Sequence, residues 1–295
     1  MPSLISRRMF AGTLALAPAL TSLTARAQTQ SDPAAQLAEL ERKSGGRLGV
    51  AILNLASGKR IGHRAEERFL MCSTFKALLA AHILARVDRK EEKLDRRIVY
   101  TKADLVPYAP ITEKHVGGDG LSVAELCEAT VTLSDNAAAN ILLANSGGPA
   151  GLTAWLRSTG DSISRLDRTE PTLNEYDAPG DPRDTSTPAA MLDTLRKLLF
   201  ADVLSRSSRA QLAAWLVANK TGDTRLRAGF PADWLIGDKT GTGSNKTGYA
   251  HDVAVAWSPD RGAVLVTCYC EMPGISPEQR NAVHAAVGRI AAQVM

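Results

Sequence analysis

Strand patterns at both ends of the chain, with helical patterns between them, are the feature that most constrains its fold. Residues 47–55 and 60–68 have the pattern of two strands joined by a turn. Three more strand patterns follow near the C-terminus, at 234–241, 251–257 and 262–272. Because a lone two-stranded hairpin is only marginally stable, we expect the two groups to join in one antiparallel five-stranded sheet.

The middle of the chain is helical by the spacing of its apolar residues. Ser122 to Glu125 has the form of a capping box, which predicts a helix start. Helices are expected at 33–43, 74–88, 122–132, 136–145, 149–158, 188–200, 208–219 and 277–294. The predicted class is therefore α/β, of the α+β kind. Residues 28–68 and 222–295 form a sheet domain with flanking helices, residues 69–221 form an inserted all-α domain, and the site is expected in the cleft between them.

The N-terminus has the pattern of an export signal. Arg7 and Arg8 precede an apolar run from Phe10 to Leu23, and Ala25-Arg26-Ala27 offers small residues for cleavage after Ala27. The paired arginines favour the twin-arginine route to the periplasm. The apolar run is shorter than the roughly 20 residues of a membrane span. Residues 1–27 are therefore predicted to be removed, and no stable membrane anchor is expected afterwards.

The net charge of the chain argues against nucleic acid and membrane surfaces as partners. The formal net charge is +4, and residues 1–27 contribute three of these positive charges and no acidic residue. A nearly neutral mature chain gives no reason to expect binding to nucleic acid or to a membrane surface. We expect a monomer that binds small molecules.

The four cysteines are Cys72, Cys127, Cys268 and Cys270. Cys268 and Cys270 alternate within an apolar strand pattern, so they share one face of the strand but are poor disulfide partners. The sequence has no C-x-x-C pair and no H-E-x-x-H spacing. The expectation is four buried, inert thiols, no metal and no other cofactor.

Ser73-Thr74-Phe75-Lys76 has the form S-x-x-K at a predicted helix start. A spacing of three residues along a helix places the lysine amine on the face of the serine. A serine hydroxyl is a weak nucleophile unless a base takes its proton, and a helix N-terminus favours developing negative charge. About one S-x-x-K is expected by chance in such a chain, so this motif alone assigns nothing.

Two triplets accompany this motif. Ser134-Asp135-Asn136 lies between two predicted helices, where a serine is also a common cap. Lys-Thr-Gly occurs three times, and the copies at 220–222 and 246–248 fall at a helix end and in a turn. Lys239-Thr240-Gly241 lies on a strand, where its positive charge could hold a substrate carboxylate.

The order S-x-x-K, S-D-N, K-T-G resembles that of the penicillin-recognising serine enzymes. Residues 165–187 form a long connection rich in proline, aspartate and glycine, and long loops are often functional. Within this loop, Glu170-Pro171-Thr172-Leu173-Asn174 resembles the E-x-x-L-N element of class A β-lactamases. The resemblance extends from about residue 33 to the C-terminus. It implies the β-lactamase/D,D-peptidase-like fold, with 165–187 as its omega-type loop.

The resemblance also implies roles for the catalytic residues. Ser73 is the nucleophile and Lys76 is its activating amine. Ser134 passes a proton to the leaving nitrogen, and Glu170 acts with Asn174 on the hydrolytic water. Whether Lys76 or Glu170 is the base for acylation stays open on sequence alone.

The substrate-binding residues follow from the same resemblance. Asn136 binds the substrate amide side chain, and Lys239 and Thr240, with Gly241 in the same motif, hold the substrate carboxylate. The backbone N–H groups of Ser73 and Thr242 form the oxyanion hole. Tyr108 lies at the cleft rim, and Arg225 assists carboxylate binding.

Some structural details are implied as well. The Glu170–Pro171 bond should be cis, and Arg168 and Asp184 should form the ion pair that closes the omega-type loop. The segment from Asn174 to Asp184 is one residue longer than the family pattern, and the turn after Gly243 is about two residues longer. The family positions that would pair with Cys127 and Cys72 hold Ala80 and Gly243, which supports the expectation of no disulfide.

The implied activity is hydrolysis of the β-lactam amide bond of penicillins and cephalosporins through an acyl-serine, conferring resistance. Two alternatives share the three motifs. A penicillin-binding D,D-peptidase lacks the loop glutamate, and a non-catalytic β-lactam sensor stays acylated and is tethered to a membrane. Turnover of a chromogenic cephalosporin separates the three.

Overall fold

An antiparallel sheet forms the centre of the protein. The structure, a computed structural model, describes residues 32–178, 180–244 and 246–295. Its strands there are β1 (Arg47–Asn54), β2 (Arg60–His63), β3 (Phe69–Leu70), β4 (Arg97–Ile98), β5 (Leu121–Ser122), β6 (Thr185–Ser186), β7 (Leu235–Thr242), β8 (Tyr249–Ser258) and β9 (Gly262–Glu271). Five of them form one sheet in the order β2-β1-β9-β8-β7. The predicted union of the N-terminal and C-terminal strands is confirmed.

Eight α-helices occur in these described ranges: α1 (Pro33–Ser44), α2 (Phe75–Asp88), α3 (Val123–Thr132), α4 (Asn136–Ala144), α5 (Gly148–Ser158), α6 (Pro188–Phe200), α7 (Arg206–Val217) and α8 (Pro277–Gln293). The predicted capping box at the start of α3 is present, since the Ser122 hydroxyl accepts from the Glu125 N–H and the Glu125 carboxylate accepts from the Ser122 N–H. Ser276 and Gln279 form another at the start of α8. Such reciprocal bonds satisfy N–H groups that a helix start would leave unpaired.

The sheet separates two apolar cores. Leu48, Val50 and Ile52 of β1 face a core that α1 and α8 cover. Ala51 and Leu53 face the opposite core, which contains the buried residues of α2 to α7. Side chains alternate between the faces of a strand, so one strand serves both cores. Leu37 of α1 and Val287 of α8 are fully buried in the first.

The structure corrects the length of the second predicted strand. The expected strand 60–68 ends at His63, because Arg64 has a positive φ of 45° and begins a turn. Phe69 and Leu70 instead pair with Ser186 and Thr185 in a separate two-stranded ladder. The other predicted elements are present, with their ends shifted by a few residues.

Asp32–Met295 form one compact unit. The predicted signal, 1–27, lies outside the described residues. Among the described helices, none combines the length and the apolar character needed to cross a bilayer.

Candidate active site

A cavity of about 380 Å³ lies beside β7 and the start of α2. Nine of the twelve predicted site residues line it, together with Thr221: Ser73, Tyr108, Ser134, Asn136, Glu170, Asn174, Arg225, Thr240 and Thr242. The other three, Lys76, Lys239 and Gly241, are buried beside it. A cavity of about 400 Å³ beside Arg60 and Asp193 contains none of the predicted residues.

The predicted nucleophile occupies a tight turn. Ser73 lies in the 3₁₀ turn Cys72–Thr74, which runs directly into α2. The Thr74 hydroxyl donates to the Met71 carbonyl at 2.7 Å and closes the turn. A Cβ added to Gly241 would lie 2.9 Å from that carbonyl oxygen and 3.2 Å from Cys72 Cβ. Only glycine lets β7 approach the turn this closely.

Glu170 bridges the predicted nucleophile and the predicted amine. The Ser73 hydroxyl donates to Glu170 Oε1 at 3.1 Å, and Lys76 Nζ lies 3.1 Å from the same oxygen. Lys76 Nζ also donates to the Ser134 carbonyl at 2.8 Å and to Asn136 Oδ1 at 2.5 Å. Burial lowers the pKa of the Lys76 ammonium, and the negative charge of Glu170 opposes that shift. Five residues predicted from three separate motifs therefore share one hydrogen-bond network.

The Ser134 hydroxyl lies between two lysines. It accepts from Lys239 Nζ at 3.0 Å and from Lys76 Nζ at 3.3 Å. Ser134 has a positive φ of 59°, a conformation uncommon for residues other than glycine. Burial and the nearby Lys76 charge hold the pKa of Lys239 well below its ordinary value. Burial opposes protonation of both amines, and a negative charge at this end of the cavity would favour their charged forms.

The loop 165–187 places Glu170 through bonds to its main chain and side chain. Asn140 of α4 donates to the Glu170 carbonyl at 2.9 Å and accepts from the Glu170 N–H at 3.0 Å. Asn174 Nδ2 donates to Glu170 Oε2 at 2.6 Å. The Glu170–Pro171 bond is cis, as predicted. The predicted ion pair is also present, since Arg168 Nε donates to Asp184 Oδ2 at 2.6 Å.

Asn136 and Tyr108 meet at the rim of the cavity. Asp135 caps α4, and its carboxylate accepts from the Ala138 N–H at 2.8 Å. The same carboxylate accepts from the N–H and hydroxyl of Thr112, which fixes the neighbouring segment. Asn136 Nδ2 donates to the Pro107 carbonyl at 2.9 Å. Tyr108 is 59% exposed, so its ring is free to contact a ligand.

Arg225 connects two strands near the cavity. Its Nη1 donates to the carbonyls of Gly241 at 2.9 Å and His251 at 2.6 Å. Its Nη2 donates to the Thr242 hydroxyl at 2.7 Å. Arg225 is only 9% exposed. The guanidinium therefore contributes positive charge to the cavity and also binds β7 to β8.

Two residues of the site were not predicted. Thr221 lines the cavity, and its hydroxyl is hydrogen-bonded to that of Thr240. It belongs to the Lys-Thr-Gly copy at 220–222, in which the backbone N–H of Lys220 donates to the Thr132 carbonyl. Asn140 holds Glu170 by both main-chain groups, and it follows Asn136 by one helical turn. The four-residue spacing places Asn140 on the same face of α4 as Asn136, which could have indicated from the sequence that Asn140 belongs to the site.

Comparisons with known proteins agree with this geometry. The model of the β-lactamase enzyme family matches residues 32–295. The chain is 48% identical to β-lactamase L2 of Stenotrophomonas maltophilia, over 94% of this chain and 91% of that protein. It is 45% identical to β-lactamase Toho-1 of Escherichia coli, over 96% of each. An ancestral class A β-lactamase (GNCA) superposes with a TM-score of 0.86 at 62% identity, covering 90% of this chain and all of the ancestral one. The chain therefore belongs to the class A β-lactamase family.

Proposed function

We propose that this enzyme hydrolyses penicillins and cephalosporins through an ester on Ser73, and so confers resistance to them. The observation that carries the proposal is the position of Glu170, whose Oε1 lies 3.1 Å from both Ser73 Oγ and Lys76 Nζ. A carboxylate at hydrogen-bond distance from a hydroxyl can take its proton. The same carboxylate is then in place to serve the hydrolytic step.

Acylation uses four of these groups. Ser73 Oγ bonds to the β-lactam carbonyl carbon while its proton moves to Glu170. The ring C–N bond breaks, Ser134 gives its proton to the nitrogen, and Lys76 replaces that proton across the 3.3 Å contact. Glu170 then returns a proton to Lys76 across 3.1 Å. The N–H groups of Ser73 and Thr242 stabilise the oxyanion.

Deacylation uses Glu170 again. A water held by Glu170 and Asn174 loses a proton to Glu170, and its oxygen attacks the ester carbon. The ester C–O bond breaks, and Ser73 recovers its proton from Glu170. Lys239, Thr240 and Arg225 hold the substrate carboxylate, because buried cations favour an anion there. Asn136 and Tyr108 contact the substrate side chain.

We also propose how the enzyme reaches its substrate. Residues 1–27 direct export by the twin-arginine route and are cleaved after Ala27, which leaves a periplasmic monomer without a membrane anchor. Although Asp32–Met295 pack as one compact unit, we propose that 28–68 and 222–295 are its sheet domain and 69–221 its inserted helical domain. Edman sequencing of periplasmic protein that starts at Gln28 would support this, and retention of the leader would refute it.

Sustained turnover tests the proposed function. Purified mature protein mixed with excess chromogenic cephalosporin should hydrolyse many equivalents at a steady rate. A single-equivalent burst followed by a stable adduct would identify a D,D-peptidase or a sensor instead. Absence of any reaction would refute all three.

A further inference from the structure

Three side chains that can bind metals meet in the core beneath α8, on the face of the sheet that α1 and α8 cover. Cys268 and Cys270 project from β9, and His284 projects from α8. Their two sulfurs and one ring nitrogen all lie within 4.8 Å of one another, and all three residues are buried. The sulfurs are 3.9 Å apart. The catalytic steps above use none of these groups.

The hydrogen bonds of His284 leave one ring nitrogen free. Its Nε2 lies 3.0 Å from the carbonyl oxygen of Ala250. A carbonyl can only accept, so Nε2 carries the proton of the neutral ring. Nδ1 then presents a lone pair, and this buried atom has no hydrogen-bond partner among the described residues. Metal-binding histidines commonly donate their other ring N–H to a backbone carbonyl in this way.

Two charged residues, Asp252 and Arg225, lie near the thiols. Asp252 of β8 pairs directly with Cys268 in the sheet register. Its Oδ2 accepts from the Leu226 N–H at 3.0 Å, whereas Oδ1 is buried without a described partner. The Arg225 guanidinium interacts electrostatically with both cysteines and with Asp252.

We propose that Cys268, Cys270 and His284 bind a structural Zn²⁺ ion. Zn²⁺ prefers four sulfur, nitrogen and oxygen ligands of this kind. Binding forms two Zn–S bonds and one Zn–N bond and releases two thiol protons to solvent. The metal would tie β9 to α8, so its effect is on stability and not on the catalytic steps.

Metal content and melting temperature test the site. Because the ligands are buried, untagged mature protein is unfolded and refolded under reducing conditions, with or without zinc sulfate, and is then desalted. We expect one zinc per chain by elemental analysis. With free zinc about a hundredfold above the Kd, we expect a Tm about 5–10 °C above that of the metal-free protein. A parent protein that retains no zinc would overturn the proposal.

Variants locate the metal. Cys268→Ala, Cys270→Ala and His284→Gln should each lose the bound zinc and the Tm increase. Cys127→Ala is the matched control, because Cys127 is a buried free thiol in the other core and should leave both unchanged. Cephalosporin turnover by each variant reports correct folding. Zinc retained at the parental level by the three ligand variants would refute the site.

Cobalt gives a readout that needs no variant. Refolding the parent with Co²⁺ in place of Zn²⁺ should produce sulfur-to-cobalt charge-transfer absorption in the near ultraviolet, because the proposed ligands include two thiolates. Added zinc should remove that absorption by displacing cobalt. Bound cobalt without the charge-transfer band would mean that the metal lies elsewhere, and would overturn the assignment.

Discussion

The Asn174 side-chain amide donates to Glu170 Oε2 at 2.6 Å, whereas its own Oδ1 is buried and has no hydrogen-bond partner among the described residues. Buried polar atoms are rarely left unpaired. A water molecule at Oδ1 would satisfy it and would lie beside the Glu170 carboxylate. We propose that this pair holds the hydrolytic water, and the Glu170→Ala variant tests that role.

Glu170→Ala should trap the acyl-enzyme. Ser73 and Lys76 remain, so the ester still forms, more slowly and with the Lys76 amine taking the serine proton in place of Glu170, whereas loss of the general base slows deacylation by about 10²–10⁴-fold. Mass spectrometry after mixing with benzylpenicillin should show one intact drug mass added for minutes to hours. Glu175→Ala, an exposed glutamate of the same loop, is the control and should behave like the parent. Parental turnover by Glu170→Ala would remove Glu170 from the mechanism.

Ser73→Ala should abolish covalent labelling by penicillin. Nucleophile removal in serine hydrolases costs more than about a thousandfold in kcat. The residual rate is measured with the chromogenic cephalosporin, and circular dichroism checks the fold. Labelling that persists in this variant would place the ester on another residue.

Gly241→Ala should lower kcat/KM by about 100-fold, because an added Cβ lies 2.9 Å from the Met71 carbonyl and pushes β7 away from the nucleophile turn. Steady-state kinetics measures the loss. Gly274→Ala is the matched control, since nothing lies within 4 Å of its added Cβ. Equal kinetics for both variants would show that the turn tolerates the displacement.

Arg225→Ala should raise KM for penicillins about tenfold, more than it lowers kcat, because a uniform binding contact is lost. Its hydrogen bonds to the Gly241 and His251 carbonyls add a second effect. Their loss should lower the free energy of unfolding by about 1.5–3 kcal/mol, measured by urea denaturation. Arg225→Lys keeps the charge and should recover part of KM. Unchanged KM and stability would contradict both roles.

The thiols give an independent test of the fold. All four cysteines are buried and free in the structure. Alkylation of denatured, unreduced, metal-free protein should modify four cysteines by mass spectrometry, and reducing agent should leave the Tm of the metal-free protein nearly unchanged. Two or fewer modified cysteines would reveal a disulfide.

The grouping of Ser73, Ser134 and Lys239 can be predicted from sequence because each belongs to a short motif in a fixed order. The capping box of α3 is equally local. The turn at Arg64 depends on a positive φ, which the presence of an arginine does not predict. The sequence therefore predicts a second strand that is too long. Thr221 lies at the cavity with its hydroxyl bonded to that of Thr240. This position depends on how α7 packs against β7, which no local sequence pattern predicts.

The cysteine and histidine cluster shows the same limit more sharply. The shared face of Cys268 and Cys270 follows from strand alternation and is confirmed by their 3.9 Å separation. His284 joins them only because α8 packs against the sheet, and helix orientation is not encoded in any local spacing. A search for metal motifs along the sequence therefore misses side chains that meet only in three dimensions.

The central strand of the sheet is also the last to be synthesised. In the order β2-β1-β9-β8-β7, β9 separates the N-terminal pair from β7 and β8, and Arg47 pairs with Glu271. Before β9 has been synthesised, the edges of β1 and β8 that it pairs with are unpaired, and no strand connects them. Pairing over such sequence separation is intrinsically slow. The five-stranded sheet therefore closes only after β9 has been synthesised, and a chain truncated before β9 retains only the separate β1–β2 and β7–β8 pairs.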